Sequence, residues 1–471
     1  SGYTNSYALE SFFGQVNYDY DGKYLLSGSV RRDGSSRFLN NKWGTFGAIG
    51  AGWVISNEEF MNIDAIDFLK LKASYGVIGD QGGVGYYPGY DKFNIVNVND
   101  KPAFSFDTKG NPDLTWETSK MFQTGVEFRL GNYLTGNVEY YLKNTSNLIF
   151  DRRIGPSIGF AMVRVNDGNL RNQGLEFDLT GHILKNSDYY LDLSIIGETF
   201  KNKITKMPID PSTELPKILD IQGNYGWAEG HSIYDFYIRD FAGVDPNDGR
   251  STWKVFYTDN NANGQFDSGE QIASLNQFEN PNQDEIKEGT TKTYSQATQF
   301  YTGKSAVPKL RGAFNLRAGY KNFDLSVQML YSFGGYAYDA AYAGLMGNGT
   351  VGGNNWHSDI LNRWQAAGDV TDVPRISNNA TTDQNVSSSS TRFLTKANYL
   401  SLNNIRLGYN FDKSLVSVMG LKNLGVWVSA DNLWYKSARK GFYPSTAEAG
   451  NSNMYRYSPL STISAGLRAK F

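Results

Sequence analysis

The sequence contains no cysteine, only 3 histidines and no apolar run long enough to form a transmembrane helix. Without cysteine, disulfides and thiolate metal sites are excluded. A membrane-spanning helix needs about 20 predominantly apolar residues, and the mean hydropathy of -0.46 is far from that of a helical membrane protein. A formal net charge of -2 favours no nucleic-acid partner. A β-strand membrane protein stays open, because its strands carry apolar residues only at every second position.

Glycine and aromatic residues are abundant instead, with 50 Gly, 31 Tyr and 28 Phe. The segment Ile463–Phe471 alternates apolar and polar residues without a break. Successive side chains of a strand point to opposite sides, so this segment predicts a strand with one apolar and one polar face. An edge strand of a soluble sheet would show the same alternation. The terminal Phe471, without a polar tail, favours the closing strand of an outer-membrane barrel, which this segment resembles.

The same alternation occurs in thirteen segments, and helical periodicity is confined to short stretches such as Glu58–Phe68. The predicted strands are Phe12–Tyr20, Tyr24–Val30, Trp43–Trp53, Leu69–Val77, Phe122–Leu130, Leu134–Leu142, Leu175–Ile183, Tyr189–Ile195, Phe314–Tyr320, Phe323–Phe333, Tyr399–Phe411, Val426–Asn432 and Ile463–Phe471. We expect Val138, Leu193, Val327 and Leu467 to face lipid, and their neighbours Asn137, Asp192, Gln328 and Arg468 to face the lumen of a barrel.

Short and long connections alternate between these strands. Asp21–Lys23 and Lys321–Asn322 are short, whereas Gly79–Lys120, Lys201–Lys309 and Gly334–Asn398 are long. Structureless connections beyond about 15 residues are uncommon in compact soluble domains. An up-and-down membrane barrel is expected to have short periplasmic turns and long extracellular loops.

An odd number of strands cannot close an antiparallel ring, and open sheet edges are not tolerated in lipid. Residues 1–471 are therefore expected to be the carboxy-terminal part of a larger barrel. The first residues show no basic region followed by an apolar core, so no signal peptide is expected within the chain. Either the protein is not exported or Ser1 is not its true start.

Several segments resemble one family. They are Tyr24–Phe38, Gly52–Glu58, Leu69–Gly76, Asn111–Glu117 and Tyr399–Tyr409. The sequence is similar to the SusC/RagA-like TonB-dependent transporters of the Bacteroidota outer membrane. The resemblance implies an all-β, antiparallel up-and-down barrel of 22 strands, of which this chain is a part. It also implies a plug and a TonB-contacting segment outside these residues, TonB-energised import of an oligosaccharide or oligopeptide, and a SusD-like surface lipoprotein that acts as a lid.

One loop has the spacing of a calcium-binding motif. In Asp259–Glu270, side-chain oxygens stand at positions 1, 3, 5, 9 and 12, with glycine at position 6 for a sharp turn. The predicted ligands are Asp259, Asn261, Asn263, the carbonyl of Gln265, Asp267 and Glu270. Such oxygens suit Ca²⁺, and we expect a structural ion that orders the loop. The alternative is a polar surface loop whose Asn and Gly residues only make turns.

Aromatic residues in the long connections are candidates for stacking on sugar rings or gripping peptide side chains. They are Trp227, Tyr234, Phe236, Tyr237, Trp253 and Trp356. Equally, they could pack the loops together. The histidines are widely separated and no catalytic constellation accompanies them, so no enzyme is predicted. The alternative to a transporter is a surface β-protein, an adhesin that binds glycan through its loops.

Overall fold

The computed structural model describes residues 4–153, 162–210, 213–278, 285–347, 355–377, 382–383, 385–418, 420–446, 451–452 and 458–471. These residues are mostly in β-strands. The α-helices among them are α1 (Ala340–Leu345) and α2 (Lys413–Val418). Within these ranges, no helix is long and apolar enough to cross a membrane.

Strands occur along the whole described chain. In order they are β1 Leu9–Tyr20, β2 Tyr24–Ser35, β3 Trp43–Val54, β4 Phe68–Asp80, β5 Lys92–Val98, β6 Lys101–Thr108, β7 Glu117–Leu130, β8 Leu134–Ser146, β9 Ile149–Arg153, β10 Met162–Asn166, β11 Asn169–Lys185, β12 Tyr189–Lys206, β13 Asp220–Gln222, β14 Tyr225–Trp227, β15 Asp235–Arg239, β16 Phe241–Val244, β17 Ser251–Thr258, β18 Ile286–Thr291, β19 Gln299–Ser305, β20 Leu310–Tyr320, β21 Phe323–Phe333, β22 Tyr336–Asp339, β23 Leu394–Lys396, β24 Tyr399–Asn410, β25 Asn423–Lys436, β26 Asn451–Ser452 and β27 Thr462–Lys470.

Thirteen of these strands form one sheet in the order β1-β2-β3-β4-β7-β8-β11-β12-β20-β21-β24-β25-β27. Every neighbouring pair in it is antiparallel. Each of the thirteen predicted segments coincides with one of these strands, except that Phe411 and Phe471 lie one residue beyond the strand ends. The predicted strand set is therefore confirmed. The strands β1 and β27 form the two edges of the sheet.

The short connections are tight turns, as predicted. Asp21 and Gly22 have φ angles of 56° and 61°, so both residues of the Asp-Gly pair take the left-handed backbone of a tight turn. The side chain of Asp19 accepts the N–H of Gly22 at 2.8 Å. Lys321 has a φ of 49° in the turn between β20 and β21. The stretch Glu58–Phe68, by contrast, forms turns and then enters β4 rather than a helix.

The register of the sheet keeps apolar residues opposite apolar residues. Leu193 lies opposite Leu316, Val327 lies between Leu316 and Ile405, and Leu467 lies opposite Val426. Because directly opposite residues share a face, the apolar positions of successive strands form one continuous surface. The register therefore places these predicted apolar residues on one face of the sheet.

The polar positions form the other face. Asn137 lies opposite Asp178, Asp192 opposite Arg317, and Gln328 opposite Asn315. The Nε2 of Gln328 donates to Oδ1 of Asn315 at 3.0 Å. Polar side chains on neighbouring strands therefore meet on this face, as expected for the polar interior of a barrel.

Several strands extend well beyond the predicted segments. The alternation predicts Tyr189–Ile195, whereas β12 continues to Lys206, and β11 extends from Asn169 to Lys185. The alternation marks only the part of a strand that has one apolar face. Backbone hydrogen bonding continues past that part, where polar residues occupy both faces.

The described parts of the two longest connections fold together into one structure, which we call the loop body (the described residues within 207–309 and 334–398). Its core consists of buried apolar residues from both connections. They are Phe236, Ile238, Tyr338, Ala343, Met346, Ile360, Val373, Phe393 and Leu394. These long loops therefore carry strands and a core of their own.

Candidate functional site

Hydrogen bonds join the two connections of the loop body across large sequence distances. The N–H of Phe241 donates to Oγ1 of Thr391 at 2.9 Å, and the hydroxyl of Tyr294 donates to the carbonyl of Ser389 at 2.8 Å. Nη1 of Arg375 donates to the carbonyl of Asp248 at 3.0 Å. The loop body is thus held by polar contacts around its apolar core.

Arg375 also forms a two-point ion pair with Asp383. Nε and Nη2 of the guanidinium lie 3.0 and 2.9 Å from the two carboxylate oxygens. Burial opposes the charged form of Asp383, but the hydrogen bonds from Arg375 and Thr382 outweigh it, so the pKa of Asp383 is lowered. Two parallel bonds to a planar guanidinium fix orientation as well as charge, which makes this pair a rigid tie within the loop body.

Three of the predicted substrate-binding aromatics are buried. Phe236 and Tyr237 are 0% exposed and Trp253 is 3% exposed. The hydroxyl of Tyr237 lies 2.7 Å from Oγ of Ser274, and Trp253 packs edge-on against Tyr294. For these three residues the geometry supports the packing alternative, because a side chain without exposed surface has no face for a substrate.

The other three predicted aromatics are half-buried. The indole N–H of Trp227 donates to the carbonyl of Ile233 at 3.0 Å, and that of Trp356 donates to Gly347 at 3.0 Å. Tyr234 packs edge-on against Tyr225. The two indole hydrogen bonds and the ring contact of Tyr234 orient these side chains. Because the residues are only partly buried, Trp227, Tyr234 and Trp356 remain candidates for substrate contact.

The predicted calcium loop, Asp259–Glu270, folds back on its first residue. Oδ1 of Asp259 accepts the N–H of Asn263 at 3.0 Å. The side-chain amides of Asn261 and Asn263 lie 2.8 and 2.7 Å from Oδ2 of Asp267. The side chains at motif positions 1, 3, 5 and 9 therefore converge.

The last residue of the motif closes the loop. Glu270 is buried, and its Oε1 and Oε2 accept the N–H groups of Asn260 and Asp267 at 2.9 and 3.0 Å. Gly264 has a φ of 77°, with open space where a Cβ would stand. Glycine at motif position 6 is required by this left-handed backbone. The loop thus has the chain reversal that the motif predicts.

The donor set of the loop is mixed. No group of three or more His, Asp or Glu side chains in the described ranges is placed to hold a metal ion. An ion here would therefore need the amide oxygens of Asn261 and Asn263 and the carbonyl of Gln265. The N–H of Gln265 donates to Oδ1 of Asn263 at 2.7 Å, so this peptide is part of the folded loop. Oxygen-only ligands of this kind fit a hard cation such as Ca²⁺.

A lysine from the neighbouring strand reaches the loop. Nζ of Lys287 in β18 lies 2.5 Å from Oδ2 of Asp259. The hydrogen bond from this ammonium lowers the pKa of Asp259, and the carboxylate in turn raises the pKa of Lys287. The sequence gives no signal for this contact, because 28 residues separate the partners.

A row of charges crosses the polar face of the sheet, and the sequence analysis did not identify it. Glu139, Glu176 and Glu198 lie directly opposite one another on β8, β11 and β12, and Arg311 follows on β20. Lys72 pairs with Glu139 and Arg311 pairs with Glu198. Like charges directly opposite are destabilising, and the cations at both ends compensate. Only strand register could reveal the row.

These features define a class: a membrane β-barrel wall with an apolar face, a polar face and a folded loop body on one side. The family model for the TonB dependent receptor-like beta-barrel matches residues 1–433. The chain belongs to this family, and it lies in the outer membrane. The long loops are accordingly extracellular, the fold class and the family resemblance are confirmed, and a family of transporters confirms that the chain is not an enzyme.

Named relatives agree with this membership. The chain is 29% identical to the TonB-dependent receptor P39 of Formosa agariphila, over 99% of this chain and 46% of that protein. It is 27% identical to the TonB-dependent receptor SusC of Bacteroides thetaiotaomicron, over 96% of this chain and 43% of that protein. The chain thus spans about half the length of these relatives.

Solved structures give the same result. A structure of the RagAB peptide transporter matches with a TM-score of 0.78 and 28% identity, over 98% of this chain and 47% of that chain. The RagAB peptide importer in an 'open-open' state matches with a TM-score of 0.78 and 26% identity, over 99% of this chain and 47% of that chain.

Proposed function

We propose that the chain is part of an importer that takes up a large nutrient across the outer membrane, energised through TonB. The observation that carries the proposal is the two-faced thirteen-strand sheet, whose polar face has paired charges and whose loops form a folded body. A polar interior accepts a hydrated solute, and an ordered loop body can present a binding surface above it. Membership of a TonB-dependent family supports the energy source.

The substrate class proposed is an oligopeptide or an oligosaccharide. A relative named as a peptide transporter supports the first. Half-buried rings at Trp227, Tyr234 and Trp356 suit both, because aromatic faces stack on sugar rings and also contact apolar peptide side chains. Their accessible surfaces point to substrate contact by these three residues.

The test is uptake by cells in which the gene of the complete transporter is deleted and then restored. Labelled oligopeptides and oligosaccharides of graded length are supplied separately, with and without a TonB deletion. We expect the cells to accumulate one of the two substrate classes. This accumulation should be lost when either the transporter gene or TonB is deleted. If ligand binds to the cell surface equally in the presence and absence of TonB and never accumulates, the adhesin alternative is correct and the importer proposal is wrong.

A SusD-like surface lipoprotein is proposed as the partner that closes over the loop body. A relative named SusC and structures named RagAB support a two-component assembly. Affinity purification of the tagged transporter from detergent-solubilised outer membranes tests this. We expect one lipidated protein in stoichiometric amount, and recovery of the transporter alone would contradict the proposal.

We also propose that the loop Asp259–Glu270 binds a structural Ca²⁺ ion. Convergence of Asp259, Asn261, Asn263 and Asp267 supports the site, and buried Glu270 closes it. A bound ion would tie the segment between β17 and β18 to one centre. This would offset part of the conformational entropy lost in ordering it, which is about 1–2 kcal/mol per residue.

A further inference from the structure

The contact between Lys287 and Asp259 occupies an oxygen that the calcium motif assigns to the ion. Position 1 of such a loop supplies its carboxylate directly to the cation. Here Oδ2 of Asp259 accepts the ammonium of Lys287 at 2.5 Å and the N–H of Gly264 at 2.8 Å. The side chain of Asp259 is only 4% exposed. The carboxylate is therefore already neutralised within the chain.

The position of Lys287 is set by strand pairing. In the hairpin of β17 and β18, Lys287 lies opposite Tyr257, two residues before Asp259. The ring of Tyr257 packs on Phe266 of the loop. The backbone of Lys287 is thus held beside the loop whether or not an ion is bound.

The side chain of Lys287 is nevertheless able to move. It is 48% exposed, and a lysine stem rotates about several bonds. A divalent ion at Asp259 and an ammonium on the same carboxylate repel each other. When an ion binds, the ammonium of Lys287 can move away into water, because the side chain of Lys287 is partly exposed to solvent.

We propose that Lys287 is a built-in competitor of calcium: its ammonium holds Asp259 when no ion is bound and is displaced when Ca²⁺ enters. This inference rests on the calcium proposal above. The ion pair ties Lys287 to the first residue of the loop when no ion is bound. It weakens the affinity of the loop for Ca²⁺, because binding must first break this ion pair. A loop of this kind fills with Ca²⁺ only in a calcium-rich medium, such as the outside of the cell.

Three variants of the complete transporter test the inference in detergent solution, with Ca²⁺ binding measured by equilibrium dialysis. Lys287→Met removes the ammonium, and Lys287→Arg keeps the charge. Lys254→Met is the matched control, because Lys254 lies on the same hairpin and pairs with Glu288 at 2.8 Å, outside the loop. We expect Lys287→Met to bind Ca²⁺ about tenfold more tightly, since a unit charge a few ångströms from a divalent ion is removed.

Lys287→Arg and Lys254→Met are expected to keep the original affinity within about twofold, on the same electrostatic argument. If all variants bind Ca²⁺ with equal affinity, the competitor role is wrong and the calcium site stands. If none of them binds Ca²⁺ at millimolar concentration, including Lys287→Met, both proposals are wrong. Limited proteolysis at the hairpin, run in parallel, shows whether each variant keeps the loop folded.

Discussion

The indole N–H of Trp53 donates to Oε1 of Glu58 at 2.9 Å. The hydroxyl of Tyr24 donates to the same oxygen at 2.6 Å, and Tyr24 lies opposite Trp53 in the sheet. Lys23 adds its ammonium at 3.7 Å from Oε2. One carboxylate at the short-turn end of the barrel thus orients two aromatic rings of the kind that line membrane interfaces.

The first prediction concerns the pH dependence of this contact. Hydrogen bonds from Tyr24 and Trp53 lower the pKa of Glu58. A lowered folded-state pKa contributes stability that is present above the ordinary glutamate pKa of about 4.3 and is lost as pH falls through the folded value. We expect the unfolding midpoint in urea to fall between pH 5 and pH 3 by less in Glu58→Gln than in the wild type. If the unfolding midpoints of the variant and the wild type fall equally over this pH range, the proposed contribution of Glu58 is wrong.

The second prediction tests which face meets lipid. Val327→Arg places a charge on the apolar face, between Leu316 and Ile405. We expect a cost of about 2–4 kcal/mol if the position is at the bilayer midplane. Gln328→Arg, one residue further on, turns to the polar face and should cost much less. Refolding titrations into lipid vesicles measure both, and equal costs would mean that the faces are assigned incorrectly.

The third prediction concerns the calcium loop. Glu270→Gln removes one carboxylate oxygen from the residue that closes the loop, and we expect weaker Ca²⁺ binding without unfolding of the barrel. Limited proteolysis between Lys254 and Lys287, with and without a chelator, measures the effect. The wild type should be cut faster in chelator, and the variant should be cut fast in both conditions. Identical cleavage of the wild type in both conditions would rule out an ordering role for calcium.

The fourth prediction separates packing from substrate contact in the loop body. Phe236→Ala removes a fully buried ring, and we expect a loss of about 3–5 kcal/mol within the loop body. Hydrogen exchange should rise in strands β15 and β19, which pair with each other, while the main sheet stays protected.

The matched variant is Trp356→Ala, at a half-buried ring. We expect it to reduce uptake of the preferred substrate by about tenfold, as for loss of a ring contact worth about 1.4 kcal/mol. Protection in β15 and β19 should hardly change. If Trp356→Ala leaves uptake unchanged, this ring packs the loop body and does not contact the substrate.

The strands and their two faces were determined by the sequence alone. The direction of a strand side chain depends only on its own backbone, so Leu193 and Asp192 take opposite faces whatever the partner strand is. The turn at Asp21 and Gly22 is local in the same way, because its φ angles depend on those two residues. The calcium motif was also readable, since its residues are adjacent in the chain.

Other features were decided only by the tertiary structure. Phe236 is buried because the loop that carries it packs against residues such as Phe393, which is more than 100 residues away in the chain. The aromatic content of a loop does not show whether that loop contacts another one. Glu176 lies between two other carboxylates because of strand register, and Lys287 reaches Asp259 because β17 pairs with β18. In each case the partner is distant in sequence, and a local pattern contains no information about which distant residue is brought near.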